Sequence, residues 1–255
     1  MNLEIDLEIP TELIDNASQE IDYRNLRGKI VVGLAGFSRS GKDTIAKTLI
    51  KRLGFKRISF ADTLKEDLNE FLKDQVYYDL ISNDSPLDME LINFLHPSTQ
   101  EVKEILRPYM IWFGEKMKQI NGPHHWTNRA FSKIEPDDRK LVISDVRRIN
   151  ELEIFRNSKE FQKIRNKNRE ELGINIPSYY EVDAEYDSLL FFVNQIHNKD
   201  DDSLTKQTIM KAIEEWLFTD TIYIDSRIQD ITNYHEKHVV IQVKKLVEKY
   251  PEYFI

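Results

Sequence analysis

One stretch near the amino terminus constrains the fold more than any other. Ile30 to Ala35 is a short apolar run, followed by Gly36-Phe37-Ser38-Arg39-Ser40-Gly41-Lys42-Asp43-Thr44. An amphipathic pattern of Ile45, Ala46, Leu49, Ile50 and Leu53 comes next, closed by Gly54. The spacing predicts a buried strand over 29–35, a glycine-bounded loop and a helix over 43–53. This is the order that a phosphate-binding P-loop requires. Gly36 and Gly41 accept a positive φ without steric cost, so the loop can wrap and turn its N–H groups inward. The helix start adds further N–H groups and the positive end of its dipole. Lys42 puts a charge where the outer phosphates of a triphosphate lie, so Gly36, Ser38, Arg39, Ser40, Gly41, Lys42, Asp43 and Thr44 are the expected ATP-binding residues. The general pattern asks for Ser or Thr directly after the lysine, to reach magnesium. Here Asp43 stands there and Thr44 comes one position later.

The rest of the chain alternates strands and helices. A short strand is expected over 56–60, and the capping box Thr63 to Glu66 opens a helix to about residue 74. Residues 75–97 are irregular in pattern, broken by Asn83, Asp84, Pro86 and Pro97. A second capping box, Ser98 to Glu101, starts a long helix to about Ile120, and His124 to Lys133 holds a further helical turn or two. Strands follow over 139–144, weakly over 161–165, and over 190–196, with a helical stretch over 150–157, a loop over 166–187 and a helix over 203–217. This alternation predicts an α/β fold of three layers, a mostly parallel five-stranded sheet with helices on both faces. The expected organisation is an N-terminal extension (1–28), one domain (29–217) and a C-terminal appendix (218–255). The appendix carries a candidate strand over 221–224 and a helix over 231–249. The apolar face of that helix, Val239, Val240, Val243, Leu246 and Val247, either packs on the domain or pairs with another subunit, which leaves a homodimer open.

Charge and cysteine content narrow the function classes. With 36 Lys and Arg against 44 Asp and Glu in 255 residues, the net charge is −8, which argues against broad binding to DNA or RNA. There is no cysteine, hence no disulfide, zinc-thiolate site or catalytic thiol. The first residues, MNLEIDLEIP, lack the features of a signal peptide, and no apolar run reaches the length of a membrane span. The expectation is a soluble cytoplasmic protein.

Two further clusters follow predicted strands. Leu141-Val142-Ile143-Ser144 ends in Asp145, with Arg147 two residues on. Ligands of open α/β sheets sit at the carboxyl ends of strands. Asp145 there could hold magnesium, and Arg147 could clamp a phosphate; a solvated strand end is the competing reading. Asp62 and Lys65 follow the strand over 56–60, where Asp62 could equally cap a helix. Adjacent His124 and His125 do not face each other on a helix, so they make a poor metal pair. The basic segment Lys163 to Arg169 could close over a nucleotide, although a solvated edge and loop is the simpler reading.

Together these pieces resemble the phage-type deoxynucleoside monophosphate kinases, P-loop enzymes akin to adenylate and thymidylate kinase. The resemblance rests on Gly41-Lys42-Asp43-Thr44, on Phe60-Ala61-Asp62-Thr63-Leu64-Lys65, on Arg107 to Gly114 followed by Trp126, and on Asp145-Val146-Arg147 with Asn150-Glu151, in that order over 29–217. Arg148-Ile149 stand where the family has Phe-Pro, and Ile111 stands where it often has Gln. The resemblance implies ATP-dependent phosphoryl transfer to a (deoxy)nucleoside monophosphate. Lys42, Arg147 and Asp145 would be catalytic, and Asp62, Lys65, Arg107, Trp126 and Glu151 would bind the acceptor. Magnesium would be held by Thr44, by Asp145 or through water. Two rivals stay open: another small-molecule P-loop kinase, such as a dephospho-coenzyme A kinase-like enzyme, and a nucleotide-binding regulator without transfer activity.

Overall fold

A computed structural model describes residues 20–37, 40–82, 100–158, 185–196, 203–214, 218–225 and 232–255. Among them the strands are β1 (Ile30–Ala35), β2 (Lys56–Ile58), β3 (Lys140–Val146), β4 (Asp187–Ile196) and β5 (Asp220–Asp225). The helices are α1 (Lys42–Leu53), α2 (Phe60–Ser82), α3 (Gln100–Asn121), α4 (His125–Phe131), α5 (Glu153–Arg156), α6 (Ser203–Glu214), α7 (Thr232–Lys249) and α8 (Pro251–Phe254). The chain divides into two compact units, Met1–Ile21 with Ser59–Ser132, and Asp22–Ile58 with Lys133–Ile255.

Among the described residues, the second unit holds every strand of the sheet. Its five strands are all parallel, in the order β2-β3-β1-β4-β5. β1 lies at the centre and is buried along nearly its whole length, as its unbroken apolar sequence requires of a strand covered on both faces. On one face Val32, Leu34, Val142, Leu189, Phe191 and Val193 pack with Ile45 and Leu49 of α1 and with Val239, Val243 and Leu246 of α7. The other face is buried too, through Val31, Leu141, Ile143 and Leu190. There β1 comes so close to α5 that a Cβ on Gly33 would collide with the Phe155 ring. The expected α/β layering is therefore present.

The fifth strand differs from the expected one. Residues 161–165 lie outside the described residues, and β5 is built from the segment read as part of an appendix. β5 pairs with β4 from Phe191↔Asp220 to Ile196↔Asp225. Ile222 and Ile224, the buried face of α7, and Tyr253 and Phe254 all join the core. Of the two fates open to the apolar face of α7, packing within the unit is the one observed. At the other end, residues read as an extension join this unit: Leu26 is fully buried and Tyr23 stacks on Tyr186 at 5.5 Å. Lys29 donates to the carbonyl oxygens of Glu135 (3.0 Å), Pro136 (3.3 Å) and Asp138 (2.6 Å), tying the turn before β3 to the start of β1.

In the first unit, α2, α3 and α4 surround aromatic side chains, with Phe113 5.3 Å from Phe71 and 5.8 Å from Trp126. A Cβ on Gly114 would lie 2.8 Å from Leu64, so glycine lets α2 and α3 approach closely. α2 begins three residues before the expected Thr63 box and runs on to Ser82. β2 stops at Ile58, which frees Ser59 to cap: its Oγ accepts the Asp62 N–H at 3.2 Å. Thr63 is then inside the helix, and its hydroxyl donates back to the Ser59 carbonyl at 3.2 Å.

Candidate functional site

The strand order turns at β1, whose neighbours β3 and β4 lead to opposite edges of the sheet. Crevices outside the carboxyl ends of strands at such a turning point are where open α/β sheets bind ligands. The β1–α1 loop and the end of β3 both lie there. Ser38 and Arg39 are outside the described residues.

Gly36 has φ 155°, and a Cβ there would collide with the Val193 carbonyl of β4. Gly41 caps α1 with φ 94° and ψ 6°, a left-handed conformation suited to glycine. Its carbonyl accepts the N–H groups of Thr44 and Ile45, both at 3.1 Å, and so starts the helix. Within the loop the Ser40 N–H returns to Phe37 O at 3.2 Å. Lys42, in the first turn of α1, is only 6% exposed. Its Nζ donates to Gly36 O (2.8 Å), Phe37 O (2.6 Å) and Ser40 Oγ (3.3 Å). Gly36, Phe37 and Ser40 thus hold the ammonium group by two main-chain oxygens and one hydroxyl. Asp43 is exposed and Thr44 half-buried on the same turn.

β3 is the parallel neighbour of β1, so Asp145 lies on the strand beside the one that leads into the loop. The pairing carries an irregularity: Gly33 faces Ile143 but Ala35 faces Val146, so Ser144 and Asp145 stand opposite Leu34 alone. Such a bulge re-aims side chains and is common beside functional sites. Asp145 sits in the strand, one residue before its end, rather than just after it. Arg57 Nε donates to Ser144 Oγ at 3.0 Å and braces the bulge from β2. Arg147 follows on an exposed turn, and among the described residues its guanidinium has no ion-pair partner.

Glu151 does not point outward as a substrate ligand would. It is 7% exposed, and its Oε2 accepts the N–H groups of Arg147 (2.7 Å) and Arg148 (3.0 Å). This closes the turn into the 3-10 segment Ile149–Leu152. Burial pushes its carboxyl up to about 7, Asp145 adds to the rise, and the two N–H groups oppose it. Thr208 of α6 donates its hydroxyl to Arg147 O at 2.6 Å. Nothing in the sequence local to α6 points to the Thr208 contact.

Asp62, Lys65, Arg107 and Trp126 belong to the first unit. Asp62 and Lys65 form an ion pair at 3.5 Å on α2. Arg107 lies exposed on α3, and Ile111 one turn on is 61% exposed. Trp126, expected to bind the acceptor, is 8% exposed, donates its indole N–H to Gly114 O at 3.0 Å and packs against Phe113, so its position is that of a core side chain. His124 and His125 are both buried beside it.

No family model and no curated protein matches this chain.

Proposed function

We propose that the protein transfers a phosphoryl group from ATP to a nucleoside monophosphate, with deoxynucleotides the favoured acceptors. The observation that carries this reading is the buried Lys42 ammonium held by Gly36 O and Phe37 O at the carboxyl end of the central strand. Arg147, at the end of the adjacent strand, supports it. Phosphoryl transfer asks little covalent chemistry of a protein; it asks for alignment and for charge where the transferring group is negative. Lys42 would meet the donor phosphates, and Arg147 would neutralise charge on the transferring group. Arg107 and Lys65 would hold the acceptor phosphate. Thr44 and Asp145 offer a hydroxyl and a carboxylate, hard oxygen donors of the kind magnesium takes while keeping several waters. When bound, magnesium would offset charge on the phosphate oxygens. An ionised acceptor phosphate needs no general base, in keeping with a site assigned without a histidine. A cytoplasmic setting, where ATP is available, belongs to the same reading. It also suits the absence, among the described residues, of any helix long and apolar enough to cross a membrane.

The test is a coupled assay of ADP release with ATP and a panel of nucleoside monophosphates. Turnover with at least one of them is expected, and Lys42→Ala and Arg147→Ala should each lower kcat by roughly a hundredfold or more. ATP binding without ADP release on the whole panel would favour a regulator, and release with dephospho-coenzyme A alone would favour the other kinase class. Near-normal turnover in Arg147→Ala would remove that arginine from the assignment.

A further inference from the structure

We propose that Thr208 is a positioning residue for Arg147, acting with Glu151 to fix the peptide that presents the guanidinium; this rests on the phosphoryl-transfer reading. Arg147 stands on an exposed turn, and an arginine side chain has much rotamer freedom to lose before it can meet a phosphate. Fixing its backbone removes part of that freedom in advance. Both polar groups of the residue's main chain are anchored: Glu151 takes its N–H at 2.7 Å, and Thr208 donates to its carbonyl at 2.6 Å. The two anchors come from different elements. Glu151 lies four residues on and closes the local turn, whereas Thr208 is 61 residues away on α6. The Thr208 hydroxyl, on a residue only 1% exposed, reaches out of its helix to the turn after β3. The position of α6 thereby becomes part of the position of Arg147.

Thr208→Val removes the donor at nearly constant volume, Thr208→Ala is a second donor-free variant should the first fail to fold, and Thr208→Ser keeps the donor. The donor-free variant should lower kcat about tenfold, equivalent to about 1.4 kcal/mol of barrier, while KM for ATP stays within about twofold; Thr208→Ser should restore kcat. Placed on Arg147→Ala, the same substitution should cause no further loss. Amide exchange at Arg147, followed by NMR without substrates, should quicken in the donor-free variant and return to parent values in Thr208→Ser. Parent values of both kcat and exchange in the donor-free variant would overturn the role, as would an equal loss of kcat in the Arg147→Ala background. If the parent protein transfers nothing to any monophosphate, the kinase reading fails, and the exchange result alone decides the clamp.

Discussion

Glu151 carries the clearest residue-scale consequence. Its buried carboxyl is raised from 4.5 to about 7, chiefly by loss of water. The native state therefore holds this proton over a range where the unfolded chain has released it. Stability from this group is complete below about pH 4.5 and is lost as pH rises to about 7, by about 3 kcal/mol in all. Glu151→Gln keeps an acceptor for the Arg147 and Arg148 N–H groups and does not titrate. Denaturant unfolding at about pH 5 and pH 7 should show the parent protein losing more stability on the way up than the variant. Gly36 gives a second prediction. Gly36→Ala drives a methyl into the Val193 carbonyl and strains φ, so the β1–α1 loop must move. On the proposed kinase reading, ATP binding, followed by calorimetry, should weaken at least about tenfold.

Among the elements, those with strong local signals were legible in the sequence. β1 and α1 announced themselves because an apolar run and a helical period stand on either side of two glycines. The start of α2 was not, because Ser59-Phe60-Ala61-Asp62 and Thr63-Leu64-Lys65-Glu66 carry the same capping spacing in succession; the end of β2 decides between them. The bulge at Ser144 and Asp145 has no local mark, since it exists only in the register with β1. Thr208 is hidden for the same reason, its partner being remote in the chain. Glu151 was placed in the site by its motif, but burial turns it toward the main chain. α8 shows how a short element can matter: Phe254 is 1% exposed and lies 5.9 Å from Phe55. Phe254→Ala should cost about 3–5 kcal/mol in unfolding free energy, measured by denaturant melts.

At the scale of the whole molecule, the parallel sheet draws on segments from both ends of the chain. The alternation of strands and helices was enough to read its class, but not the identity of its edge. β5 was visible as a candidate strand, and only its non-local pairing with β4 shows that it belongs to the core. Removing residues 220–255 strips β4 of a neighbour and one sheet face of its α7 cover. The shortened protein should lose cooperative thermal unfolding and bind a hydrophobic dye, whereas the parent should melt cooperatively.

The central place of β1 also sets an order of events during synthesis. Ile30 finds its partners at Lys140 and Asp187, so β1, the first of the described strands in chain order, waits for segments more than a hundred residues on. Until both neighbours have emerged from the ribosome, an apolar strand with two open edges stands exposed to other chains. Such long-range pairing folds slowly. Among the described strands, the one that leads into the candidate phosphate loop therefore waits longest for both of its neighbours.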